Sequence, residues 1–220
     1  MLTKCLSLTG LLLGLAAAPL HAQDHLVPAT GYFSSYDYAS GYYSKVQQIL
    51  LKGLTDSPML RVVVVPSFAP EYVISLEQTN QTYTLRCVES RTSIWGAVQT
   101  KSAAPVGVES HAAVISPETA RAVAEAFNAA IDQAHYPAPA TRRILTDGVV
   151  YHFVSFRVGL GLREGTAHSP AHGSNLALLV QLTGRLQQLA LQSAGQPTEA
   201  ELTRLAQAVT ATFTAPPTAK

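Results

Sequence analysis

The stretch TRRILTDGVVYHFVSFRVGLGLREGTAHSPAHGSN, residues 141–175, brings a turn signal, a run of strand formers and a cluster of polar residues together. Asp147-Gly148 favours a type I′ turn, because both residues tolerate the positive φ that such a turn requires. The run from Val149 to Phe156 is dense in β-branched and aromatic residues, so it is expected as a strand paired back onto Arg142 to Thr146. Beyond it, Gly159 to Gly165 is rich in glycine but lacks the Gly-Lys-Ser/Thr ending of a phosphate loop. It is expected as a flexible or bulged edge strand, with Arg163 and Glu164 discouraging edge pairing. The polar segment that follows, 164–174, is expected as a loop.

Helical patterns flank this stretch on both sides. After it, Ser174 stands as N-cap to a helix over 175–192 with Leu176, Leu179, Leu182, Leu186 and Leu189 on one stripe. Thr198-Glu199-Ala200-Glu201 is a capping box for a helix over 199–213, and Gly195-Gln196-Pro197 is the expected turn between the two. Before it, Ser116-Pro117-Glu118 opens a helix over 117–134 whose inner face is Ala120, Val123, Phe127, Ala130, Ile131 and Ala134.

Further towards the N-terminus, Arg61 to Val65 is a continuous β-branched run, expected to be covered on both faces. Residues 72–78 and 82–89 alternate around Thr79-Asn80-Gln81 as a hairpin, with Tyr72, Ile74 and Leu76 on one face and Tyr83, Leu85 and Cys87 on one face of the partner strand. Ser93 to Val98 is expected as a fourth strand of a meander, while Val106 to Ile115 fits either a loop or a strand. Tyr43, Val46, Ile49, Leu50 and Leu54 recur at helical spacing between Ser40 and Leu54.

This order excludes regular βαβ alternation. It predicts an α+β fold: a single domain over 23–214, with a mainly antiparallel meander sheet covered by helices and a C-terminal helical hairpin.

The first 22 residues carry the three parts of a secretory signal: Lys4, an apolar run from Leu6 to Ala18, and small residues before Gln23. Cleavage after Ala22 would leave 220 − 22 = 198 residues with 14 basic and 14 acidic groups, since Lys4 is the one charge removed. The expected product is an exported soluble protein, periplasmic or extracellular, ending in a frayed tail over 215–220. Its even charge balance argues against a nucleic-acid partner, which rewards a positive field. No later run is long and apolar enough for a transmembrane segment. Cys87 is the one cysteine left, so there is no disulfide partner within the mature chain, and it is expected as a buried small hydrophobe.

Chemistry-bearing residues collect around the opening stretch. His168 and His172 are four apart with His152 and Glu164 near in sequence, a composition that zinc would accept. Pro170 between them and Gly173 after them break the helix on which that spacing would align two imidazoles. No glutamate follows His168 to serve as base, and no G-x-S-x-G surrounds Ser155, Ser169 or Ser174. No catalytic residue, metal or cofactor is therefore assigned. The expected ligand-binding residues are His152, Glu164, His168, Ser169, His172 and Ser174.

Five of the nine tyrosines (Tyr32, Tyr36, Tyr38, Tyr42 and Tyr43) lie within residues 23–43. They are read first as rings packed on the body of the protein, and otherwise as a stacking surface. The reading leans away from an enzyme, towards a protein that binds a small molecule or an envelope partner. The alternative is a secreted hydrolase, metal-assisted through the His/Glu cluster.

Overall fold

A computed structural model describes residues 24–29, 41–102, 104–137 and 147–215. The signal segment 1–22, residues 30–40 of the tyrosine-rich segment, the strand expected over 142–146 and the tail from 216 lie outside the described residues.

The fold is α+β. In chain order the elements are β1 (Val27–Pro28), α1 (Tyr42–Leu50), β2 (Leu60–Pro66), β3 (Tyr72–Thr79), β4 (Thr82–Ser90), α2 (Ile94–Gln99), β5 (Val108–Ile115), α3 (Pro117–Asp132), β6 (Val149–Arg157), β7 (Gly161–His168), α4 (Asn175–Ala190) and α5 (Glu199–Thr214). The seven strands form one sheet in the order β1-β7-β6-β2-β3-β4-β5, and every pairing is antiparallel.

The sheet is assembled around β2, whose Leu-Arg-Val-Val-Val-Val run is buried on both faces, as continuous apolar strands are. Beside it the β3–β4 hairpin turns at Asn80, which sits at φ 56°. Ile74 lies opposite Cys87 and Leu76 opposite Leu85, so the residues expected on one face do share it. They belong to a core with the inner stripes of α3, α4 and α5, including Phe127, Leu179, Leu186, Val209 and Phe213. Cys87 is fully buried there, and that burial pushes its thiol pKa up. Val63, Val65, Val73 and Val88 point the other way, against Tyr42, Val46 and Leu50 of α1 and Ile94 of α2. Helices thus cover both faces of the sheet, as the continuous apolar run of β2 requires.

The expected caps form. Ser116, Ser174 and Thr198 accept from the backbone of Thr119, Ala177 and Glu201, and the capping box at Thr198 is complete. Glu199 at the start of α5 also accepts from the Ser116 amide at 2.9 Å and the Thr119 hydroxyl at 2.8 Å, which ties the openings of α3 and α5 together. α4 and α5 pack as the expected hairpin, with Gly195 at φ 73° in the turn. No helix among the described residues is long and apolar enough to cross a membrane.

Three expectations give way. Ser93 to Val98 is not a strand: Ser93 caps helix α2 by accepting from Gly96 at 3.0 Å, and the buried Glu71 carboxylate accepts from the amides of Ile94 and Trp95. A tertiary acceptor at the helix start outweighs the strand preference of Ile-Trp-Gly-Ala-Val. The fourth strand of the meander is β5 instead. Secondly, both edges of β6 are occupied, by β2 and β7, so the hairpin back onto 142–146 is replaced by one running forward through Val158-Gly159-Leu160. The Gly148 carbonyl accepts from the Ser67 amide at 2.8 Å and its amide donates to the Ser67 hydroxyl at 3.1 Å. Thirdly, the segment 164–174 is a loop only in its second half, since Gly161–His168 is β7.

Candidate functional site

The expected edge strand runs on as far as His168, into the segment expected as a loop, and this rearranges the expected site. In an antiparallel ladder, residues directly opposite share a face and alternate residues follow them. His152 pairs with Thr166, and Glu164 and His168 stand two residues to either side of Thr166. His152, Glu164, Thr166 and His168 therefore share one face of the β6–β7 hairpin, the face that α1 covers further along the sheet. On the opposite face, Leu26 packs so closely on Gly165 that a Cβ there would lie 2.8 Å from the leucine side chain. Only glycine fits, and that fit fixes β1 on β7 and sets the hairpin's orientation.

Burial grades the four. His152 is buried, with Tyr43 of α1 edge-on to its ring at 5.9 Å between centroids. Glu164, Thr166 and His168 are half-buried. Desolvation lowers His152 from the ordinary imidazole value of 6.5 to about 4, and it lowers His168 as well. The same cause raises the Glu164 carboxyl from 4.5 to about 7. At neutral pH both imidazoles are thus neutral and the Glu164 carboxyl is divided between its protonated and ionised forms.

These shifts carry opposite signs in stability. The folded state keeps His152 neutral while the unfolded chain takes up a proton below 6.5, so its contribution is lost as pH falls towards 4. The folded state holds the Glu164 proton that the unfolded chain releases above 4.5, so its contribution is lost as pH rises through 7. Between 4.5 and 6.5 the two slopes oppose each other. In thermal melts across that window, Glu164→Gln is expected to gain stability with rising pH more steeply than the wild type, and His152→Gln to tilt the opposite way. Equal slopes in all three proteins would refute this assignment.

The remaining expected residues lie apart from the row. Ser169, at φ 40°, closes the strand end: its hydroxyl accepts from the Val149 amide at 2.9 Å, and its own amide donates to the Val149 carbonyl at 2.9 Å. His172 is exposed in the following turn. Ser174 is buried and its hydroxyl accepts from the Ala177 amide at 3.2 Å, so the start of α4 is capped by its own chain.

Glu164 and His168 are four residues apart on one strand, roughly 13 Å at strand rise, too far for both to reach one ion beside His152. Among the described residues, no three His, Cys, Asp or Glu side chains are grouped to hold a metal.

Sequence reasoning missed two polar clusters on the same sheet face. Arg61 is buried with Ser75 and Glu77, and Glu71 is buried against α2. Arg61 is a charged residue inside an apolar strand run and Glu71 stands immediately before another, which is the signal that could have found them. Trp95 is half-exposed on α2, its ring edge-on to Tyr42 at 5.1 Å.

Comparison with protein-family models, with curated proteins and with solved structures finds no match for this chain.

Proposed function

We propose that this is an exported, non-enzymatic binding protein that takes an uncharged, hydrogen-bonding small molecule or envelope partner on the His152–Thr166 row, with Glu164 and His168 at its ends. The observation that carries the reading is the shared face. Three residues separated in sequence, His152, Glu164 and His168, come to one side of one hairpin, on a sheet whose faces are otherwise mostly apolar. Tyr43 at the start of α1 lies edge-on to His152 and adds an aromatic ring to the same surface. Aromatic faces beside near-neutral acceptors and donors suit a ligand rich in hydroxyl or amide groups.

One observation favours a secreted hydrolase as the second reading: a carboxyl raised to about 7 is in the range where a general acid or base works. Against it, no hydrogen bond among the described residues joins the Glu164 carboxyl to a nucleophile or a second carboxyl.

The test is native mass spectrometry of the protein purified from its own host without chelator. A bound molecule is expected, its occupancy falling about tenfold in a Glu164→Gln/His168→Ala variant, the loss of one or two hydrogen bonds. His172→Ala, outside the row, is expected to keep it. Equal retention by the row variant and the wild type would sink the proposal, and conversion of the molecule on incubation would favour the hydrolase.

A further inference from the structure

The two edges of the sheet are finished differently. At one end β7 is overlaid by β1, a two-residue strand closed by Pro28. At the other end β5 runs eight residues, Val-Glu-Ser-His-Ala-Ala-Val-Ile, paired to β4 without a break from Val108 opposite Ser90 to Ile115 opposite Tyr83. Among the described residues no backbone group bonds to its outer side. It has none of the devices that blunt an edge: no proline, no lysine, no bulge. Its one acidic side chain, Glu109, is held by Arg91 of the same chain at 3.2 Å. On the α1/α2 face, which those helices do not cover this far out, Val108, Ser110, Ala112 and Val114 are exposed, Val114 to 69 %.

We propose that this edge pairs with the same edge of a second copy of the chain, antiparallel, across a two-fold axis through His111. A two-fold axis perpendicular to the sheet keeps the faces of both copies aligned, so the position numbers of opposed residues must sum to an even number. Of the registers this allows, the one centred on His111 sets Val108 against Val114 of the second copy, and so covers both exposed valines. It also sets Ser110 against Ala112, small against small, and Glu109 against Ala113, so no like charges are opposed. On the exposed face the register is a palindrome in side-chain size, valine at each end and Ser110 and Ala112 between them, and the other face departs from it only where Glu109 meets Ala113. That symmetry is a reason to choose a second copy over an unrelated strand. The two sheets then become one of 2 × 7 = 14 strands.

Sedimentation of the mature chain from about 1 µM to about 500 µM is expected to show the mass doubling. Val114→Lys, at an exposed position that leaves the fold intact, is expected to weaken the dimer at least about tenfold by setting a charge against Val108. Because position 111 alone faces itself, His111→Cys is expected to form a cross-linked dimer on mild oxidation, while Ser110→Cys does not. The native Cys87 is in the core and takes no part. A wild type that stays monomeric throughout overturns the proposal. So does a dimer unaffected by Val114→Lys, and so does cross-linking through position 110 in place of 111.

Discussion

Replacing Arg61 by alanine is expected to lower folding stability by about 3 kcal/mol or more, because it strands a buried carboxylate. The Arg61 side chain is 2 % exposed, and its guanidinium donates to the Thr55 carbonyl at 2.5 Å and to the Ser75 hydroxyl at 3.2 Å. Glu77 lies 3.6 Å away, accepting in turn from the Thr55 amide at 3.0 Å and from Ser75 at 3.2 Å. Arg86, 3.3 Å from the other oxygen of Glu77 but 41 % exposed, compensates in part, which places the loss near the lower end of the usual range for a broken buried pair. Arg61→Lys should recover little, since an ammonium cannot span Thr55 and Ser75 as the planar fork does. The double variant Arg61→Met/Glu77→Leu, which removes both charges, should regain most of the loss. Urea denaturation is the measurement: the midpoint should fall with an unchanged slope. A loss under about 1 kcal/mol for Arg61→Ala would show that water or Arg86 carries the Glu77 charge.

Glu71→Ala should cost as much by another route, again about 3 kcal/mol or more. The carboxylate is fully buried and accepts from the Tyr42 hydroxyl at 2.7 Å, the Ile94 amide at 2.8 Å and the Trp95 amide at 3.0 Å. It fastens the first residue of α1 to the first turn of α2, and both helices to the strand edge at Ser90, whose amide donates to the Glu71 carbonyl at 2.9 Å. Alanine leaves three donors without their acceptor. Ser93→Ala removes only the local cap of α2 and should cost about 1 kcal/mol. The contrast between the two decides whether α2 is held by its own sequence or by Glu71. Hydrogen exchange across 94–99 should accelerate far more in Glu71→Ala, and equal acceleration in both variants would overturn this account.

That helix also shows where the sequence was legible and where it was not. β2, the β3–β4 hairpin, the capped helices α3, α4 and α5, and the α+β class could be read because local signals and the final packing agree: caps sit at helix starts, and alternation matches the buried face. Ile94 to Val98 was misread because the residue that makes it helical, Glu71, is more than twenty positions away. The partners of β6 were misread for the same reason. Asp147-Gly148 is a strong turn signal, but a turn signal says nothing about which strand fills the next edge. Of the expected binding residues, His152, Glu164 and His168 share a face because the strand begun in the glycine-rich run continues to His168, through Thr166-Ala167, where polar and small residues read as loop. Ser169 and Ser174 turned out to serve the backbone.

The position of β2 at the centre of the sheet has a consequence for synthesis. Its β3 side can be filled almost at once, because the hairpin partner follows within a few residues. Its other side waits for Val149, which is 149 − 66 = 83 residues beyond the end of the strand. A ribosome therefore releases the β-branched run of β2, Leu60 to Val65, long before its second neighbour exists. Such late closure lengthens the average sequence separation of native contacts and slows folding. The charged side chain at Arg61, inward-pointing in the finished sheet, stands in the meantime as a gatekeeper on that open edge.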